Sequence, residues 1–347
     1  MSTLRMLPPI VLLSSLALLG AGCADTSKPA TAPTPQPSMG SMSHPPKAGA
    51  KGGSGMSMGA PAECRPAPKR TAPPQRVVTM DAGAAAILIK LGVGDKIVGT
   101  AAPDFKKAFA GNPIEQQLNA VPVIDPGRGN QEAVLAARPE LVTGISPFEL
   151  GGFDGTPTPE ILQQKGIDSY VSCDPANQAV TGIEQTYDYV RELATLMGVA
   201  ERGEQLAAEL QQQAQVTKPQ TAPKVLLLSA APTGGQAINT SGGASLANGI
   251  VTLAGGRNLA AGTAARYATL SAETVAAEDP ELIVVMSGLN KQTPEQLTEA
   301  VRTSPLLAGT TAVRTGKIVT VPQSIMLSPS LLNPQAVQKI SAALPTT

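Results

Sequence analysis

NQEAVLAARPELV at residues 130–142 and SAETVAAEDPELI at residues 271–283 are two copies of one local pattern. Glu132 and Glu273 precede Pro139 and Pro280 by the same interval, and Glu-Leu follows each proline. Each copy reads as a short helix, a proline stop and a buried strand, because proline cannot continue a helix and a short apolar run after it suits an interior strand. The match extends upstream. One helix ends at Leu91-Gly92 and another at Leu253-Ala-Gly255-Gly256. Each leads to a short apolar strand, Ile97-Val98 and Asn258-Leu-Ala260, with Gly99-Thr100 and Gly262-Thr263 closing the units. Two copies exclude a solenoid and predict two related α/β lobes.

The intervening segments support this. Arg76–Met80, Lys96–Gly99, Glu140–Ile145 and Ser169–Ser172 read as strands. Ala82–Leu91, Glu132–Ala137 and Thr158–Gln164 read as helices, which is the βαβ grammar of a mostly parallel sheet. From Asn177 to Val216 the chain is helix-forming, with Val190, Leu193, Ala194 and Met197, then Leu206, Ala207 and Leu210, at helical spacing. Gly198 predicts two helices there, broken at Met197–Val199. Lys224–Ser229 opens the second α/β unit.

The first residues set the compartment. Arg5, the apolar run Met6–Leu19 and the small residues Gly20-Ala-Gly22 before Cys23 read as a secretory signal ending in a lipidated cysteine. The run is too short to span a bilayer. Residues 24–74, rich in Pro, Ala, Gly, Ser and Met, read as a disordered tether that lends reach. Met39, Met42, Met56, Met58 and His44 sit in it. Thioethers suit Cu(I), and a plain tether that contains methionine is the competing reading. An exported chain permits oxidation, so Cys64 and Cys173 are expected to pair. Closing that loop of over a hundred residues contributes about 4 to 5 kcal/mol in the loop-entropy picture.

Composition narrows the function. With 26 basic and 26 acidic residues the net charge is zero, which gives no electrostatic footing for nucleic acid. The one histidine lies in the tether, so the body lacks the ligands of a bare Zn²⁺ or Mn²⁺ site and the usual general base of an enzyme. No P-loop or nucleophile-elbow motif is present.

The ordered run of motifs from Arg76 to the C-terminus, "RVV…AAAILIKLGVGDKIVGT…NQEAVLAARPELV" and "SLANGIVTLAGGRNLAAG…YATLSAETVAAEDPELIVVMSGL", resembles the substrate-binding proteins of iron-siderophore, haem and cobalamin ABC importers. The resemblance implies two Rossmann-like lobes bridged by a long helix, with a ligand cleft between them. The expected divisions are 1–23 signal, 24–74 tether, 75–176 first lobe, 177–218 helical bridge and 219–347 second lobe. It implies a monomeric lipoprotein on the outer face of the membrane that needs no cofactor. The resemblance further implies capture of an iron chelate, a ferric siderophore or haem, and its delivery to the permease subunits of an ABC importer. A non-transporting envelope protein on the same fold and a cobalamin binder are the alternatives.

Glu132 and Glu273 occupy the positions of the family's permease-docking glutamates, where helix-start stabilisation is the simpler role. Cleft loops are expected at residues 101–129, 145–155, 230–243, 264–270, 287–291 and 322–328. Arg128 and Arg266 stand in them to hold an anionic chelate, and Phe105, Phe148 and Phe153 to line its apolar side. Tyr267, Met286 and Met326 are the candidate iron-facing groups, set against packing roles for each.

Overall fold

The computed structural model describes residues 62–173, 182–232, 234, 237–288 and 291–345. All lie in one compact unit, Ser54–Thr347. The signal, Cys23 and the tether to residue 61 fall outside those residues.

The first lobe runs β1 (Val77–Thr79), α1 (Ala82–Lys90), β2 (Ile97–Thr100), α2 (Glu115–Ala120), α3 (Gln131–Ala136), β3 (Leu141–Gly144), α4 (Pro159–Gln164) and β4 (Asp168–Val171). Its four strands are parallel in the order β2-β1-β3-β4. Asp81 starts α1 by accepting from the Gly83 and Ala84 N–H groups, which satisfies donors left orphaned at a helix N-terminus. Every residue of α1 except Lys90 is buried, so this alanine-rich helix passes through the core between the sheet and its neighbours.

Two helices follow, α5 (Glu184–Leu196) and α6 (Ala200–Gln213), broken where Gly198 takes φ +73°. The sequence predicts this break. The pair makes the bridge, and α6, at 14 residues, is the longest described helix. Its first turn meets the first lobe through Arg202 Nη1 to Leu91 O at 3.1 Å, and Gln213 O at its end accepts from Gln338 of the second lobe at 2.7 Å. Helix α5 likewise reaches both lobes, with Tyr189 bonded to Thr143 and Thr186 bonded to Asn333.

The second lobe contains β5 (Lys224–Leu228), β6 (Ala237–Ser241), α7 (Leu246–Leu253), β7 (Arg257–Asn258), β8 (Tyr267–Ser271), α8 (Ala272–Glu278), β9 (Leu282–Ser287), α9 (Pro294–Arg302), α10 (Thr311–Arg314), β10 (Ile318–Pro322) and α11 (Asn333–Ala343). Its parallel sheet runs β7-β5-β9-β10. That order repeats the first lobe with β5 for β1, β7 for β2, β9 for β3 and β10 for β4. The repeated motif supplies the same element twice, α3–β3 and α8–β9. The second lobe adds an antiparallel ribbon, β6–β8. One apolar cluster runs unbroken from Val77 and Leu141 through Tyr189, Leu193 and Leu206 to Val225, Val284 and Val337. The lobes therefore share a core through the bridge, and this resists large hinge motion.

Residues 62–74, expected to belong to the tether, instead lie as an extended strap along the first lobe. Ala62 N–H donates to Pro147 O at 3.0 Å, and a disulfide joins Cys64 to Cys173, just past β4. Arg65 pairs with Glu160, and Arg70 with Asp168. Composition predicts disorder here because the strap has little apolar surface of its own. Long-range partners, invisible in a local reading, hold it in place.

Candidate functional site

Parallel strands of both lobes direct their carboxyl ends to the space between the lobes, where open α/β sheets bind ligands. Two contacts define that cleft. At one end, the 3₁₀ segment Pro103–Phe109 after β2 faces the ends of β9 and β10. Between them lies a cavity of about 470 Å³ lined by Asp104, Lys107 and Ala108 from the first lobe and Ser287, Gly288, Lys291, Pro322, Gln323 and Ser324 from the second. Lys107 Nζ pairs with Asp104 Oδ1 at 2.7 Å, which holds the Asp104 carboxyl below its ordinary range.

At the other end a ladder of rings and guanidinium groups crosses from lobe to lobe. Arg266 Cζ, from the second lobe, lies 5.7 Å from the Phe148 ring centre in the first. Phe148 and Phe153 lie 6.3 Å apart, and Arg128 Cζ lies 4.9 Å from the Phe153 centre. Cation–π contacts of this kind contribute about 0.5 to 2 kcal/mol each. Arg266 is also held by Leu327 O, 3.2 Å from Nη2, and its guanidinium sits 5.7 Å from the Tyr267 ring. The loop carrying Arg128 is set by Asp125 Oδ2, which accepts from Gly129 and Asn130 N–H at 2.8 and 3.1 Å. Gly129 takes φ +96°, and a Cβ there would lie 2.4 Å from Met80 Cε.

The structure brings four of the sequence's candidates together: Arg128, Phe148, Phe153 and Arg266. Three others need correction. Met286 and Met326 are fully buried in the shared core; their thioethers fill space beneath the cleft and present nothing to a ligand. Tyr267, predicted in a loop, opens strand β8, where pairing with Ser241 fixes it. The residue is 57 % exposed and stands beside Arg266. Phe105 lies in the Pro103–Phe109 segment, and its side chain is outside the described structure.

Sequence reasoning missed Asp104, Lys107, Lys291 and Gln323, because loop position alone does not say which side chains border the cavity. It also missed a buried carboxyl pair behind the cleft. Asp81 and Glu149 are both buried, and Glu149 Oε2 accepts from Ile145 and Ser146 N–H at 2.8 and 3.3 Å. Loss of solvation pushes Asp81 up to about 6 despite its backbone hydrogen bonds. Glu149 is raised well above the carboxylate range by burial and by the neighbouring Asp81 charge. Among the described residues no group of three or more His, Cys, Asp or Glu could hold a metal ion.

Glu132 and Glu273 are both exposed in the first turns of α3 and α8. Asn130 and Ser271 cap those helices. A crossover helix runs against its parallel strands, so both helix starts lie at the cleft end of their lobes.

Residues 77–325 match the periplasmic binding protein family, and the chain belongs to it. No curated protein is detectably similar in sequence. Among solved structures, a periplasmic binding protein from Veillonella parvula superposes with a TM-score of 0.67 at 20% identity, over 79% of this chain and 92% of that one. An Fe³⁺-hydroxamate transport protein from Saccharomonospora viridis gives 0.62 at 23% identity, covering 78% and 93%. A periplasmic haem-binding protein from Pseudomonas aeruginosa gives 0.58 at 26% identity, covering 78% and 92%. The family is one of solute-binding proteins that act outside the cytoplasm, and not of enzymes.

Proposed function

We propose that this protein captures an anionic iron chelate, a ferric siderophore or haem, and delivers it to an ABC importer. The observation that carries this reading is the charge of the cleft. Lys107 and Lys291 line the cavity with Asp104, and Arg128 and Arg266 stand in the aromatic ladder, where Asp125 is taken up by the Gly129 and Asn130 N–H groups. Cationic walls without a ligand set for a bare ion suit a metal that arrives already coordinated, recognised by charge-assisted hydrogen bonds and shape. Solved relatives that transport Fe³⁺-hydroxamate or bind haem support the same class of cargo.

Cys23 serves in this reading as a lipid anchor on the outer membrane face. The body acts as a monomer, and Glu132 and Glu273 meet basic residues of the permease. Thermal shift of the mature chain tests the cargo. A ferric tris-catecholate or haem at 100 times its dissociation constant adds about 2.7 kcal/mol and raises the melting temperature, whereas Zn²⁺ and Mn²⁺ leave it unchanged. A chain that responds to neither chelate nor to cobalamin, but is stabilised by envelope glycans, belongs to the non-transporting alternative.

A further inference from the structure

The ligand loop after β3, residues 145–153, carries Phe148 and Phe153. Its inner side is fixed by Glu149, which accepts from Ile145 and Ser146 N–H. Its outer side meets the N-terminal strap. Ala62 N–H donates to Pro147 O, the residue next to Phe148. Ala62 also packs on the cluster of Met80, Val142 and Leu150 that supports this loop. Two residues further on, Cys64 is bonded to Cys173, and Ser172 N–H beside it reaches Gly144 O at the loop's base at 3.4 Å.

The strap is otherwise held at points. Hollows of about 490 and 440 Å³, lined on one side by residues 65–73 and on the other by α5 and the end of β4, separate those points. The Arg65–Glu160 and Arg70–Asp168 ion pairs are partly exposed, and pairs of that kind contribute about 0 to 1 kcal/mol. The Cys64–Cys173 bond adds a covalent tie at the strap's leading end, beside the Ala62 contacts and the Arg65–Glu160 pair.

We infer that the strap is a positioning element for ligand binding: the Cys64–Cys173 disulfide holds Ala62 against Pro147 and thereby sets the Phe148 loop against Arg266. The inference rests on the reading of the cleft as the ligand site. It assigns the disulfide a role beyond stability, because the cross-link acts at the recognition loop. Ala62 and Cys64 are positioning residues and touch no ligand.

Hydrogen–deuterium exchange on the mature chain, with no chelate added, tests it. Two variants break the contact differently. Cys64→Ser/Cys173→Ser removes the covalent hold, and Ala62→Pro removes the donor while keeping the disulfide. In both, amides of residues 145–153 exchange faster by about tenfold or more, while the strands of the second lobe keep their protection. Arg70→Ala, at the strap's far end, leaves loop exchange as in the wild type. A cysteine double variant that fails to fold leaves the decision to Ala62→Pro. Fast exchange in the strap with wild-type rates in residues 145–153 overturns the inference. Binding of a ferric tris-catecholate is measured in parallel and is expected to weaken in both variants. Wild-type protein that binds no chelate overturns the cleft reading and leaves the exchange result standing. Unchanged loop exchange with chelate binding intact overturns the positioning role alone.

Discussion

Glu149 sits where a buried carboxyl is hardest to ionise, beside a second one. Both groups titrate higher in the folded chain than in the unfolded chain, Asp81 at about 6 and Glu149 well above its ordinary range. The folded state therefore binds more protons than the unfolded state above the ordinary carboxylate values near 4, and stability falls as pH rises through the folded values. Melting temperature should drop from about pH 5 to about pH 8, by a loss on the order of 5 °C. Glu149→Gln keeps an oxygen for the Ile145 and Ser146 N–H groups and an amide donor for Asp81, and it removes one titration. The variant's melting temperature should vary less over that range. An equally steep profile would show that the slope comes from elsewhere. Gly144 belongs to the same arrangement, because a Cβ there would lie 2.0 Å from Glu149 Oε2.

Helices α5 and α6 touch closely at one residue. A Cβ on Gly203 would lie 2.4 Å from Ala194 Cβ and 3.4 Å from Arg191 Cα. Gly203→Ala gains about 1 kcal/mol of helix propensity, but overpacking of this kind costs about 1 to 3 kcal/mol. The net should be a loss of about 1 kcal/mol, read as a lower urea midpoint at unchanged slope. At this scale the sequence was most legible. The repeated Glu-to-Pro interval located α3–β3 and α8–β9, and Gly198 located the break between α5 and α6. Apolar runs such as Lys224–Ser229 identified the buried strands, because strands buried on both faces are apolar throughout. Ribbon β6–β8 was read as two loops, since Ala237–Ser241 and Tyr267–Ser271 are polar, half-exposed strands with little apolar alternation. The strap was missed for a related reason: its order comes from Pro147, Glu160, Asp168 and Cys173, all far along the chain. In the site, charged and aromatic loop residues stood out in the sequence as candidates, while the placing of Lys107 and Lys291 at the border of one cavity depends on the opposite lobe.

At the scale of the molecule, duplication gives the cleft end two similar corners, each with a glutamate in the first turn of a capped helix. If these corners meet the importer, Glu132→Ala/Glu273→Ala should retain wild-type chelate affinity by titration calorimetry and lose most uptake, tenfold or more if each contact is worth about 1 kcal/mol or above. Uptake at the wild-type rate would assign both carboxylates to helix stabilisation alone. The strap adds a mechanical consequence. Without it, the chain would join the body at Arg76, where β1 begins, at the end of the lobe remote from the glutamates. Folded back along β4 and cross-linked at Cys64, it joins beside Pro147 instead. A load on the N-terminus is then borne by the rim of the cleft, so a body suspended by that end hangs with its opening towards whatever it is suspended from.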